Sequence, residues 1–267
     1  MNHFRLYRFA HPSADSPRFG LLRDEALYPF ADEQLFNFPF NFPDVPELNE
    51  KPLALSEAKL LAPLVPSKIV CIGRNYKDHA AELGNAMPDE PLLFLKPPSS
   101  VIGPEADIAL PQASERVEYE GELGVVIGRR ARLLNDSANP LDYVLGYTCV
   151  NDVTARDLQR RDVQFTRAKS FDTFCPIGPC IVTGLDPFDL QVETRVNNLV
   201  RQKARTSMMA FPVAYLIRYI SHVMTLEPGD VISTGTPAGV GPLASGDVVE
   251  VEVEGVGTLR NFVGTRA

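Results

Sequence analysis

Apolar residues along this chain come in short runs, many with a period of two, broken by turns rich in Pro and Gly. That spacing predicts many strands and few helices. Phe4 to Phe9 and Phe19 to Tyr28 read as strands, the second interrupted by a turn at Asp24-Glu25. Phe36 to Pro52 is rich in Phe, Pro and Asn and reads as irregular; Pro63 and Pro66 then mark a boundary. Residues 1–66 are therefore expected to form a small N-terminal β-rich domain, and residues 67–267 a larger one.

In the larger part, Lys68 to Gly73 reads as a buried strand. A short helix follows from Asp78 to Leu83, ended by Gly84-Asn85. Leu92 to Leu95 is a strand, and Val117 to Ile127 reads as one long strand. Tyr143 to Val150 leads into a helix from about Val153, with Thr154 and Asp157 placed as in a capping box. Val213, Leu216, Ile217 and Ile220 recur at helical spacing between Phe211 and Met224. Val248 to Val253 and Gly257 to Val263 form a hairpin turned at Gly255-Val256. The predicted class is mainly β (α+β) with a few short helices.

Charge narrows the partners. The chain carries 26 Lys and Arg against 34 Asp and Glu, a net charge of −8. Such a balance repels nucleic acid and anionic membrane. An anionic small molecule must then be drawn in by a local positive feature. No apolar run approaches the roughly 20 residues that span a bilayer. The N-terminus interleaves charged with apolar residues, so no signal peptide is expected. The four cysteines lack CxxC or Cys/His zinc spacing, and Cys71 and Cys149 lie in apolar strand-like runs as buried free thiols. Together these features predict a cytoplasmic protein.

The most informative run is Val117-Glu118-Tyr119-Glu120-Gly121-Glu122-Leu123. On a strand, alternate side chains share a face, which aligns Glu118, Glu120 and Glu122 about 6.5–7 Å apart. The run continues as Val125-Val126-Ile127, which has no polar face and predicts a strand covered on both sides. Buried carboxylates need a cation or a proton. Asp152 closes the apolar run Gly146 to Val150 just before a helix and supplies a third acid. Oxygen-only ligands suit Mg²⁺ or Mn²⁺, with Ca²⁺ also compatible, rather than zinc. Three acids leave coordination positions for substrate. On spacing alone, an E-x-E strand is more often a solvated sheet face, and Asp152 alone is equally a helix N-cap.

These residues belong to a set of blocks that resembles the fumarylacetoacetate hydrolase family. The blocks run in order from Gly73-Arg74-Asn75-Tyr76-Lys77-Asp78-His79 and Phe94-Leu95-Lys96-Pro97 to Tyr119-Glu120-Gly121-Glu122-Leu123 and Asn151 to Asp157. They end with Ala168-Lys169-Ser170-Phe171-Asp172 and Thr234 to Gly241. The layout is similar to two-domain bacterial members of the acylpyruvate hydrolase and 2-hydroxyhepta-2,4-diene-1,7-dioate isomerase type. The resemblance implies a mixed β-sandwich roll, a homodimer, and Mg²⁺ or Mn²⁺ held by Glu120, Glu122 and Asp152. Glu118 falls outside that pattern. Ile72 stands where the eukaryotic fumarylacetoacetases have a further aspartate, which favours the broader acylpyruvate branch.

His79 and Glu82 lie three apart on the predicted helix, so the carboxylate can fix the tautomer and raise the basicity of the imidazole. The resemblance makes this pair a catalytic dyad on a lid; without it, a surface pair is the simpler reading. It also implies that Lys169 stabilises negative charge on a substrate that Gln159 contacts. Otherwise these are an ordinary surface lysine and an exposed helical Gln. Arg74 and Tyr76 stand beside His79 and help define the pocket. Thr234 to Gly241 lacks the G-x-G-x-x-G spacing of a dinucleotide loop, so its amides and the Thr236 hydroxyl are expected to hold a substrate carboxylate. Arg156 is expected to pair structurally with Asp157 or Asp152.

The leading expectation is hydrolysis of a C–C bond in a 2,4-dioxo acid. The alternative is decarboxylation or isomerisation of an oxo-diacid such as oxaloacetate. The non-enzymatic alternative is a β-rich binding module around a structural ion.

Overall fold

The computed structural model describes residues 3–10, 16–30, 35–36 and 51–266, and most of the predicted irregular stretch 36–52 lies outside them. Among the described residues the largest sheet has twelve strands. It begins with Leu53–Ala54, Ala26–Phe30, Arg18–Arg23 and Arg5–Ala10. It continues through Cys175–Val182, Val144–Asn151, Gly121–Ile127, Val231–Ser233 and Ile69–Gly73 to Leu92–Lys96. Arg5 and Leu6 pair antiparallel with Val182 and Ile181, so the N-terminal strands extend the same sheet as the rest. Most neighbours are antiparallel, but Val231–Ser233 runs parallel to Ile69–Gly73. That parallel step carries the end of the Gly121–Ile127 sheet region toward the loop after Gly73.

The central strand explains the layering. Leu123, Val125 and Ile127 pack into one apolar cluster with Tyr147, Val251 and Leu259, while Val126 packs into another with Cys71, Val150 and Val231. Both faces are buried, as the unbroken apolar run predicts. The first cluster lies against a five-stranded sheet built from Asp107–Leu110, Gln191–Val196, Leu199–Arg205, Val248–Val253 and Gly257–Arg266. The second is drawn largely from the twelve-stranded sheet itself.

Four helices are described: α1 (Lys77–Glu82), α2 (Arg156–Asp162), α3 (Thr166–Lys169) and α4 (Val213–Val223). α1 ends at Gly84, whose φ of 70° is the left-handed conformation that glycine permits. α4 buries Val213, Leu216, Ile217 and Ile220, the residues its periodicity selects.

Two local expectations are corrected. Val117–Ile127 is not one strand: Val117–Tyr119 belongs to a small three-stranded sheet with Thr154–Ala155 and Gly241–Pro242, and Gly121–Ile127 to the large sheet. The change of sheet occurs at Glu120, whose N–H bonds the Asn151 side chain at 3.0 Å instead of a strand partner. Gly121 is required there because a Cβ would lie 2.0 Å from Thr194 Oγ1. The capping box at α2 does not form either. Thr154 is in the small sheet and bonds the Asp152 carbonyl at 2.9 Å, while Asp157 accepts from Ser114 Oγ at 2.5 Å. The N-cap is Ala155, with no side-chain cap.

Candidate active site

The sheet change at Glu120 brings the acids together. Glu120 sits at the hinge between sheets, Glu122 is on the large-sheet strand, and Gly121 pairs with Asn151 on the neighbouring strand, placing Asp152 beside them. Asp152 N–H reinforces this by bonding the Glu120 carbonyl at 2.8 Å. Ligand oxygens of Glu120, Glu122 and Asp152 lie within 4.8 Å of one another, and all three residues are buried. The alternative of a solvated E-x-E face therefore does not hold. The donor set is entirely oxygen, which fits a hard divalent cation.

Glu118, which the single-strand reading aligned with the other acids, is turned away. It accepts from Arg156 Nε at 2.6 Å and Arg116 Nε at 2.5 Å. Arg156 is buried, and its guanidinium also binds Glu120 and, at 2.5 Å, Gln159 Oε1. Its partners are therefore Glu118 and Glu120 rather than Asp157 or Asp152.

Lys169 is buried and not a surface lysine. Its Nζ lies 2.8 Å from Glu120 Oε2 and 2.7 Å from Asp152 Oδ2, at the end of α3. It also stands 5.0 Å from the centre of the Phe94 ring, a cation–π distance. A second buried ammonium, Lys96, binds Asp152 Oδ1 at 2.6 Å and the Val153 carbonyl at 3.0 Å. Sequence reasoning gave Lys96 no role; its signals are its place in the block Phe94-Leu95-Lys96-Pro97 and at the end of the apolar strand Leu92–Lys96.

The charges separate the acids. Burial opposes ionisation of Glu120, but the facing Lys169 and Arg156 outweigh it and hold the carboxyl far below the usual range. Burial, followed by the charges of Asp152 and Glu120, pushes Glu122 well above that range. Glu122 is supported by Ser233 Oγ at 2.5 Å and Gly235 N–H at 2.8 Å. Glu122 aside, the buried acids Glu118, Glu120 and Asp152 are ion-paired with the buried bases Lys96, Arg156 and Lys169.

A cavity of about 190 Å³ opens above these groups, with His79, Gln159, Lys169 and Thr236 in its wall and Phe94 and Phe165 as its apolar side. His79 is buried and its Nδ1 lies 3.3 Å from Glu82 Oε2. A larger neighbouring groove of about 820 Å³ shares Phe94, Phe165 and Arg74, but Glu120, Glu122 and His79 do not line it. Tyr76 is placed differently from the others. It is buried in the main core, its hydroxyl has no hydrogen-bond partner among the described residues, and it does not line the cavity.

Thr236 lines the cavity, yet its hydroxyl donates to the Gly121 carbonyl at 2.9 Å and accepts from Gln202 Nε2 at 2.7 Å. Gln202, fully buried on the strand Leu199–Arg205, also accepts from Gly121 N–H at 3.0 Å and donates to the Pro237 carbonyl at 2.7 Å. One amide thus joins the hinge at Glu120 to the Gly-rich loop. Asn75 does a similar service on the other side, donating to the Phe211 and Thr234 carbonyls at 3.0 and 2.8 Å. Neither residue carries a signal in the apolar pattern.

Residues 68–264 match the family described as fumarylacetoacetate (FAA) hydrolase C-terminal. The chain is 45% identical over 234 residues to the oxaloacetate tautomerase YisK of Bacillus subtilis, covering 81% of this chain and 77% of that protein. Among solved structures, 2-hydroxyhepta-2,4-diene-1,7-dioate isomerase from Mycobacterium marinum is 43% identical, with a TM-score of 0.86 over 99% of each chain. Fumarylacetoacetate hydrolase from Exiguobacterium antarcticum is 40% identical, with a TM-score of 0.86 over 98% of this chain and 100% of that one. A match through the hinge, both lysines and the Gly-rich loop, and a fold shared along nearly the whole length, lead to one conclusion: the chain belongs to the fumarylacetoacetate hydrolase family.

Proposed function

We propose that this chain is an enzyme that moves a proton at the carbon next to the 2-oxo group of a small oxo-diacid, interconverting its keto and enol forms. The observation that carries this reading is the convergence of Glu120, Glu122 and Asp152 around Lys169 at the floor of a small cavity walled by His79. The three acids would hold Mg²⁺ or Mn²⁺, with Ca²⁺ sharing the same ligand chemistry, and such a cation when bound acts as a Lewis acid toward the 2-oxo oxygen.

The chain's own residues supply the rest. His79 takes and returns the proton; Glu82 at Nδ1 sets the tautomer and leaves Nε2 as the nitrogen for transfer. The Lys169 ammonium stabilises negative charge as the carbon loses its proton. Gln159 and Thr236 bound the substrate, and Phe94 and Phe165 keep water from one side. Arg156 and Lys96 hold Glu120 and Asp152 in place for this work.

Two relatives guide the choice of reaction: YisK is named an oxaloacetate tautomerase, and the Mycobacterium marinum protein an isomerase of an unsaturated diacid. Both names describe an isomerisation, which leaves the carbon skeleton intact. The second reading is C–C hydrolysis of a 2,4-dioxo acid, favoured by the likeness to the Exiguobacterium hydrolase. There His79 would activate a water, and Lys169 would stabilise the charge on the departing pyruvate carbon skeleton. A homodimer belongs to the same proposal and is checked by sedimentation.

The test offers purified protein with Mg²⁺ the enol form of oxaloacetate and, in parallel, an acylpyruvate. Loss of enol absorbance above the uncatalysed rate, with no pyruvate from the acylpyruvate, supports the tautomerase reading. Release of acid plus pyruvate, without acceleration of the enol decay, reverses the order of the two readings.

A further inference from the structure

Four cations line the cavity above the carboxylates: Arg74, Arg156, Arg160 and Lys169. Arg156 and Lys169 are matched by Glu118, Glu120 and Asp152. The side chains of Arg74 and Arg160 form no ion pair or hydrogen bond with any described residue. In a chain whose net charge is −8, two unmatched guanidinium groups on one small cavity are a local excess of positive charge.

Arg74 is also presented at a conformational cost. Its φ is 57°, in the left-handed region that a long side chain adopts rarely. The surrounding chain imposes this. Gly73 ends a strand directly before it, and the Asn75 side chain directly after it is bonded to Phe211 and Thr234. Arg160 comes from a separate element, the last turn of α2, beside Gln159.

The cavity volume of about 190 Å³ is below the roughly 300–1,000 Å³ of sites for drug-sized ligands, so its guest is short. Guanidinium groups pair with carboxylates through charge-assisted, often bidentate hydrogen bonds.

We infer that Arg74 and Arg160 form a second carboxylate-binding point, which makes the cavity selective for short 2-oxo dicarboxylates over 2-oxo monocarboxylates of the same length. This deepens the proposed function and rests on its reading of the inner site, where the 2-oxo acid end is held. The far carboxylate selects the substrate and takes no part in proton transfer.

Binding to the Mg²⁺-loaded full chain, measured by titration calorimetry, separates the two ends. Oxalate probes the inner site alone; 2-oxoglutarate and 2-oxopentanoate differ only in the far carboxylate. Wild type is expected to bind 2-oxoglutarate at least about 10-fold more tightly than 2-oxopentanoate. Arg74→Gln and Arg160→Gln should each cut that preference by about 10-fold, while oxalate affinity changes far less. Arg160 is exposed, so its variant tests the idea even if Arg74→Gln folds poorly, and Arg74→Gly keeps the backbone conformation. No preference in wild type, or equal weakening toward all three probes, overturns the inference. A preference that depends on the arginines in a protein without turnover leaves the inference standing and removes the tautomerase reading.

Discussion

The Glu82 carboxylate accepts the Gly239 N–H, with its two oxygens at 3.0 and 3.2 Å, so the acid that faces His79 also ties α1 to the Gly-rich loop. Glu82→Gln keeps an oxygen for Gly239 but can present an amide N–H to the imidazole instead of a charge. We expect kcat to fall about 10- to 100-fold with KM little changed. His79→Ala should cost about 10²–10⁴-fold in kcat, the usual range for a general acid–base group. Steady-state kinetics on the enol of oxaloacetate check both, and full turnover in His79→Ala would remove His79 from the mechanism.

Lys169 is the hinge of the electrostatics. Lys169→Met removes the ammonium between Glu120 and Asp152 and leaves both acids facing each other in a buried setting. Breaking a buried pair of this kind costs about 3–5 kcal/mol. We expect that loss in urea unfolding of the metal-free variant, and a smaller one in excess Mg²⁺, where the cation takes over the compensation. An equal loss with and without Mg²⁺ would show that the ammonium and the cation are not neighbours.

Glu122 governs the pH behaviour of the metal-free protein. Its folded-state pKa is raised, so the folded chain binds a proton that the unfolded chain releases near the ordinary glutamate value. The stability this contributes is present below that value and is lost as pH rises to the raised one. Glu122→Gln carries no such proton. Its melting temperature relative to wild type should therefore climb with pH across that window when Mg²⁺ is absent. Loading Mg²⁺ at a pH between the ordinary glutamate value and the raised one should release protons, read from calorimetry in two buffers of different ionisation enthalpy. Proton release near zero would contradict the raised state.

Gln202 offers a test of positioning. Gln202→Leu abolishes its bonds to Gly121, Thr236 and Pro237 and leaves buried partners unsatisfied at about 1–3 kcal/mol each. We expect a lower melting temperature together with weaker Mg²⁺ binding, because Gly121 stands between two ligands. Gln202→Glu retains the acceptor for Gly121 alone and should recover part of the metal affinity. A fall in melting temperature with unchanged Mg²⁺ affinity would make Gln202 a purely structural residue.

Much of the fold was legible because strands and α4 announce themselves through apolar spacing. Val125-Val126-Ile127 predicted a strand buried on both faces, and Val213, Leu216, Ile217 and Ile220 the inner face of α4. What periodicity could not reveal is a change of sheet within one run. Glu118 and Glu120 look equivalent in the sequence, yet Glu118 turns to Arg116 and Arg156 while Glu120 joins Glu122 and Asp152. The ligand set came from a resemblance rather than from spacing. The buried lysines were harder still. A charged side chain is placed inside only by partners distant in the chain, and Lys96 and Lys169 meet Asp152 from 56 and 17 residues away.

The pairing of buried bases with buried acids has a consequence for how the protein folds. A domain whose acids had nothing but an ion to hold them apart would fold only in its presence, as small zinc domains do. Here Lys96, Arg156 and Lys169 already stand against Glu118, Glu120 and Asp152. On that basis a newly made chain would reach its final shape without the proposed cation and take it up afterwards.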